Sequence, residues 1–329
     1  MLSSFLFAIE AVLPIFILVA LGYMLKQRGF APQGFAKAAN KLVFRVFLPC
    51  SLFLNVYRIP HFSDIDLRYV LYALAVVLLL FLIGIPTVMA VTKHGDRRGP
   101  CLQAIFRSNY ALVGLPLAGA LFGKEGEMVA TLLSAAAIPA FNVLAVISLS
   151  IFSEDGEKPN ALKILLGIVK NPLILSIGVG LLALALRELF ANCGVSWRLT
   201  DLAPLYTVLG YLSNVSTPLA LLVLGMQFEF SAVKALRREI LFATVCRVAA
   251  APLLGIGIAF LFFSHTFGGA HFAAFVALFA TPVAVSSVPM TQEMGGDTAL
   301  AGQIVVFTTL FSAASIFIAS FLLRLAGIF

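Results

Sequence analysis

The chain has 329 residues, 61% of them hydrophobic and only 11% charged, with a net charge of +7 and a mean hydropathy of +1.05. Soluble domains carry about 25% charged residues, so this composition excludes a water-soluble enzyme or binding module and points to an all-α integral membrane protein partnered by the lipid bilayer. The positive balance is read as cationic loops on one membrane face, and no nucleic-acid partner is expected.

Apolar windows of about 20 residues, long enough to cross hydrocarbon, recur from end to end. The first, MLSSFLFAIEAVLPIFILVALGYMLK, lacks a basic leader and a small-residue cleavage site. Its apolar run outlasts a signal sequence, so it is read as a retained span over 4–25. Nine more spans follow at 38–57, 67–92, 100–122, 128–152, 161–186, 203–226, 235–263, 271–293 and 298–325. The connectors are short, which leaves no second soluble domain. The odd-numbered loops hold 13 Lys and Arg residues, from Lys26 to Arg238, against 6 in the even loops and C-terminal end. Basic loops face the cytoplasm. Both termini are therefore expected outside, as in a multi-pass bacterial inner-membrane protein.

Span two reads LVFRVFLPCSLFLNV and span seven GYLSNVSTPLALLVLG; their prolines, Pro49 and Pro218, are 169 residues apart. Span four ends GLPLAGALFGKEG and span nine ends SVPMTQEMGGD; Pro116 and Pro289 are 173 apart. The near-equal offsets predict two five-helix repeats, 1–153 and 154–329. Five is odd, so the second copy enters the membrane inverted, as in secondary transporters.

Within FRSNYALVGLPLAGALFG, residues 106–123, an arginine, an amide and a helix breaker interrupt an otherwise apolar run. Pro116 cannot donate to the carbonyl of Leu112, and Gly114 eases departure from helical geometry. In ATPVAVSSVPM, Pro282 and Pro289 free the carbonyls of Leu278 and Val285, with Ser286 and Ser287 between them. Freed backbone groups in hydrocarbon must face protein, water or ligand. Broken helices four and nine are thus expected to meet at a polar cavity.

Arg107 lies on the order of 10 Å into span four. Its charge costs ~2.5–3.5 kcal/mol at a helix centre, so it attracts an anionic substrate, snorkels, or pairs with Glu10 or Glu293. Arg45 and Arg247 are read as snorkelling. Asn109 can orient a carboxylate without adding charge. Asn142, after Pro139, and Gln303 in span ten are read as cavity edges. Asn40, Asn55 and Asn214 are read as interhelical glue. Glu10 is a candidate for proton coupling, and Glu293 and Asp297 are read as solvated.

Enzymes find little support. His61, His94, His265 and His271 fall in or beside loops without an HExxH pattern. Cys50, Cys101, Cys193 and Cys246 show no ligand spacing. No ATP-binding glycine-rich loop is present. No catalytic residue, metal site or cofactor is expected.

Ser108-Asn109-Tyr-Ala-Leu-Val-Gly114-Leu-Pro116-Leu resembles the auxin efflux carrier family, in which the pattern Asn-x-x-x-x-Gly-x-Pro-Leu matches Asn109, Gly114, Pro116 and Leu117. Ser287-Val288-Pro289 with Thr291-Gln292-Glu293 resembles the family's second crossing helix, and Lys170-Asn171-Pro172 is similar to its opening of span six. The resemblance runs through the whole chain and is nearest to bacterial malonate- or malate-type carriers. It implies ten helices in two inverted halves, crossing at Pro116 and Pro289. It also implies a scaffold of helices one, two, six and seven, an elevator-like movement of the others, anionic substrates, and a homodimer. The long cytoplasmic loop of the plant proteins is reduced here to SEDGEKPNALK. The expected function is secondary transport of small organic anions, with proton or sodium coupling open. A sodium-coupled symporter of the bile-acid type is the runner-up, and a channel is less favoured.

Overall fold

The computed structural model describes residues 2–32, 34–59, 67–152, 166 and 169–329, with side chains described from Leu13 onward. Among these residues there are helices and one isolated β-bridge, with no strand. Besides the short helices Leu199–Asp201 and Phe230–Ala235, the helices in chain order are α1 (Leu2–Gln27), α2 (Phe35–Tyr57), α3 (Leu67–Val91), α4 (Gly95–Phe106), α5 (Tyr110–Ile151), α6 (Pro172–Asn192), α7 (Ala203–Gln227), α8 (Arg237–Phe263), α9 (Gly269–Phe279), α10 (Ser287–Glu293) and α11 (Thr298–Leu325). Among the described residues, seven segments are long and apolar enough to cross a membrane: α2, α3, α5, α6, α7, α8 and α11. Leu13–Gln27 of α1 and the whole of α9 are shorter apolar helices.

The segmentation differs from the sequence reading around two places. The expected spans 100–122 and 128–152 appear as α4 followed by the 42-residue α5. That helix bends at Phe122 (φ −138°) and Gly123 (φ +61°, ψ −154°), the second a conformation only glycine adopts without strain. The expected span 271–293 is two short helices, α9 and α10. The boundary between the expected halves at 153–154, the start of the expected span 161–186 and the side chain of Glu10 lie outside the described residues.

The largest helix contacts fall into two groups, joined where α1 also packs on α11. In one, α1 lies on α7, α2 on α6, and α2 on α7. In the other, α9 lies along α5, α3 on α4, α4 on α5, and α8 on α11 and α4. Lipid tails are as apolar as leucine, so close backbone approach at small residues supplies much of the packing. A Cβ on Gly22 of α1 would fall on the Leu222 carbonyl of α7, and one on Gly225 of α7 on the Val19 carbonyl of α1. Only glycine allows this crossing. In the second group α9 is wrapped on all sides, with Phe272 to Phe279 wholly buried. The outward surface carries large apolar side chains such as Leu71, Leu253, Leu261 and Phe262, as a hydrocarbon solvent requires.

Two helix starts show local capping. Asn171 accepts a hydrogen bond from the Leu173 N–H at 2.9 Å, with Pro172 in the first turn. Asp297 accepts one from the Leu300 N–H at 2.9 Å. Asp297 also pairs with Arg97 at 3.3 Å, so it is engaged rather than solvated.

Candidate functional site

Two non-helical stretches meet inside the protein. α4 ends at Phe106, and Arg107 to Asn109 are non-helical, extended at Arg107 and turning at Asn109 (φ −80°, ψ 55°) into the π-helical turn Tyr110–Gly114. α9 ends at Phe279, and the backbone stays non-helical until α10. Ser108 and Val283 form an antiparallel bridge. The Asn109 N–H donates to the Pro282 carbonyl at 2.7 Å. Each broken segment thereby satisfies backbone groups of the other, which is what buried, non-helical backbone requires.

Pro289 sits in the first turn of α10, where a proline's missing N–H has no intrahelical use. Pro116 is the seventh residue of α5 and follows directly on its π-helical turn, where its missing N–H leaves a helix carbonyl free. Gly114 has a further role, because a Cβ there would stand 3.0 Å from the Ala277 carbonyl of α9. It lets the restarting helix cross α9 closely.

Beside the paired breaks lies a cavity with about 90 Å³ of room for water-sized centres, lined from both packing groups. The breaks contribute Arg107 to Leu112 and Ala284 to Ser286; α5 contributes Ile138, Phe141 and Asn142; α2 and α7 supply Ser51, Asn55, Ser216 and Thr217. At roughly 10–15 Å³ per enclosed water centre, this space holds several waters or a small polar molecule.

Arg107 dominates the electrostatics. It is 3% exposed and no described carboxylate pairs with it. Its guanidinium donates to Gln103 Oε1 (2.8 Å), Asn142 Oδ1 (3.0 Å), Ser286 Oγ (2.9 Å) and the Met290 sulfur (3.2 Å). All four partners are neutral. Arg107 therefore does not snorkel, and Glu293, one expected acid partner, pairs instead with Arg45 at 3.4 Å. Asn142 is held in place by its own Nδ2, which donates to the Ile138 carbonyl at 2.8 Å. Around this cation, Ser108 Oγ, Asn109 Nδ2 and Ser216 Oγ are buried with no hydrogen-bond partner. Such groups are costly unless something else satisfies them. The cluster offers a positive charge and neutral donors, a setting for an anion.

A family model described as membrane transport protein matches residues 7–320. The chain belongs to this family, that of auxin efflux carrier-like transporters. An uncharacterized transporter from Methanothermobacter thermautotrophicus is 25% identical over 318 residues, covering 95% of this chain and 97% of the relative. An uncharacterized transporter from Methanocaldococcus jannaschii is 25% identical over 230 residues, covering 68% of this chain and 70% of the relative. The protein is thus a multi-pass membrane transporter.

Not every residue singled out from the transporter's sequence reaches the cavity. Arg107, Asn109, Asn142 and Ser286 line it. Pro282 contributes its carbonyl to the bridge, while Ser287 is buried at the start of α10 and is not among the lining residues. Gln303 is buried on α11, where its Nε2 donates to the Glu229 carbonyl at 3.0 Å; it does not line the cavity. Asn55, expected as glue, does line it, together with Ser51, Ser216 and Thr217. Their signal was the polar run beside the matched prolines Pro49 and Pro218. Arg247, expected to snorkel, is fully buried and donates to the carbonyls of Leu278, Phe279 and Thr281 at the end of α9. Among the described residues, no group of three or more His, Cys, Asp or Glu is placed to hold a metal ion.

Proposed function

We propose that this transporter carries a small organic anion by alternating access, docking its carboxylate beside Arg107 and Asn109. The observation that carries this reading is the buried guanidinium. It has four neutral partners and no described acid, and stands next to three unpartnered polar side chains. A carboxylate entering the cavity would gain a charge-assisted bond from Arg107 and neutral bonds from Asn109 Nδ2 and the serine hydroxyls. Desolvating a carboxylate is expensive, and a pre-placed cation with fixed donors offsets it.

The path between membrane faces follows from the same arrangement. Counting α4 with the first arm of α5 as one crossing, the second arm as another, and α9 with α10 as a third gives ten crossings. In two inverted repeats divided near 153–154, helices one and six are equivalents, as are two and seven. The pairings α1 on α7 and α2 on α6 then exchange under the repeat, which supports it. Movement of the group holding the paired breaks against the wall formed by α2 and α7 would expose the cavity to each side in turn. Cytoplasmic basic loops with both termini outside complete this reading.

The test is a thermal-shift screen of the purified transporter against malonate, malate and indole-3-acetate, repeated on Asn109→Ala. A carboxylate that stabilises wild type and loses that effect in the variant supports the site. Equal stabilisation of both proteins overturns it.

A further inference from the structure

The C-terminal end of α9 lies in the middle of the fold, a few residues before Ala284 enters the cavity wall. The last carbonyls of a helix lack intrahelical donors, and together they carry about −0.5 of an elementary charge. An uncapped end here would face the proposed anion with the wrong sign. Pro282 aggravates this, because it has no N–H to give the Leu278 carbonyl four residues back.

The structure gives a donor to each of the last four carbonyls of α9 and to two just beyond it. Val276 accepts from the Ala280 N–H at 2.9 Å. Ala277 accepts from the Thr281 hydroxyl at 2.7 Å. Leu278 and Phe279 both accept from Arg247 Nη2, at 2.9 and 2.6 Å. Thr281 accepts from Arg247 Nε at 2.9 Å. The Pro282 carbonyl accepts from Asn109 at 2.7 Å. One guanidinium from α8 therefore supplies the donor that Pro282 lacks and two more besides. Like Arg107, it is buried with no described carboxylate paired to it.

We propose that Arg247 is a positioning residue of the anion site: it caps and electrostatically neutralises the broken end of α9, and so fixes the Pro282 carbonyl that holds Asn109. The assignment rests on the anion-site reading for its functional meaning, while its geometry stands apart from it. Arg247 does not touch the cavity; it acts through the 280–283 backbone. Its planar fork serves three carbonyls at once, which a lysine ammonium reproduces only in charge.

Peptide-resolved hydrogen exchange on the full-length transporter in lipid nanodiscs tests this, comparing wild type with Arg247→Met and Arg247→Lys. The expected result is at least tenfold faster exchange in Arg247→Met over both 280–288 and 107–115. The second segment belongs to the other break and is not bonded to Arg247. Exchange in α6 and α7 stays unchanged, and Arg247→Lys falls between. A role confined to α8–α9 packing would leave 107–115 at the wild-type rate, and that result overturns the proposal. If Arg247→Met does not fold, the lysine variant alone decides, by faster or unchanged exchange at 107–115. Thermal shift with malonate is the second readout. Where malonate stabilises wild type, the shift is lost in Arg247→Met and largely kept in Arg247→Lys, and a full shift in Arg247→Met again overturns the proposal. Where neither malonate, malate nor indole-3-acetate shifts wild type, the substrate reading fails while the exchange result still decides the role of Arg247.

Discussion

Arg107 shows why a costly residue persists inside a membrane protein. Inserting an arginine at a helix centre costs ~2.5–3.5 kcal/mol, and its neutral partners, Gln103, Asn142, Ser286 and Met290, leave the charge without a counter-charge among the described residues. Arg107→Met removes the charge but leaves Gln103 Oε1, Asn142 Oδ1 and Ser286 Oγ without their donor, at about 1–3 kcal/mol for each buried acceptor. The variant is expected to melt below wild type without carboxylates, and to gain nothing from those that stabilise wild type. A thermal melt with and without malate measures both halves of the statement. On the proposed docking, Asn109→Ala removes a single hydrogen bond to a charged group, worth about 1.5–3 kcal/mol, so carboxylate affinity should fall roughly 10- to 100-fold. Gln303→Ala is the contrast. Its amide bonds the Glu229 carbonyl outside the cavity, and a titration should show unchanged affinity. Sequence position alone treated Asn109 and Gln303 as comparable amides; the fold separates them, with Asn109 in the break that lines the cavity and Gln303 on α11 outside it.

At the scale of elements, close crossings and caps are where substitutions will register. Gly22→Val and Gly225→Val each place side-chain atoms on a carbonyl of the partner helix, forcing α1 and α7 apart. Each should lower the melting temperature by several degrees. Gly178→Ala meets nothing within 4 Å and should be neutral in the same melt. Asn171→Ala removes the side-chain acceptor at the start of α6 and should cost about 1 kcal/mol. The breaks themselves were readable only in part. Prolines marked the neighbourhood of both interruptions, because a missing N–H is a local fact. They did not mark the three residues 107–109, where no proline stands. That stretch is non-helical because its backbone has a better partner across the molecule, at Pro282 and Val283.

For the whole molecule, α2 and α7 meet α10 at a polar contact that the proposed alternating access would break. Asn40 of α2 donates to Gln227 of α7 at 3.1 Å and to Gln292 of α10 at 2.9 Å, and Gln292 donates back to the Lys37 carbonyl at 3.2 Å. Asn40→Cys with Gln292→Cys, in a background lacking the four native cysteines, provides a thiol pair across this contact. Cross-linking it should abolish carboxylate exchange in proteoliposomes while leaving carboxylate-induced thermal stabilisation intact. Exchange at the uncross-linked rate would show that α2 and α10 do not move apart during transport.

The membrane class, most helices, the neighbourhood of both breaks and the identity of Arg107 and Asn109 followed from the amino-acid order alone. Hydropathy and proline chemistry act over one or two turns of chain, so a linear reading captures them. Tertiary structure decided the rest: that residues 107–109 pair with 282–283, that Ser51, Asn55, Ser216 and Thr217 enter the cavity while Gln303 does not, and that Arg247 turns inward to cap α9. Those outcomes depend on which face of a helix meets which neighbour, and on backbone partners about 175 residues apart in the chain. Packing of all the helices together sets both.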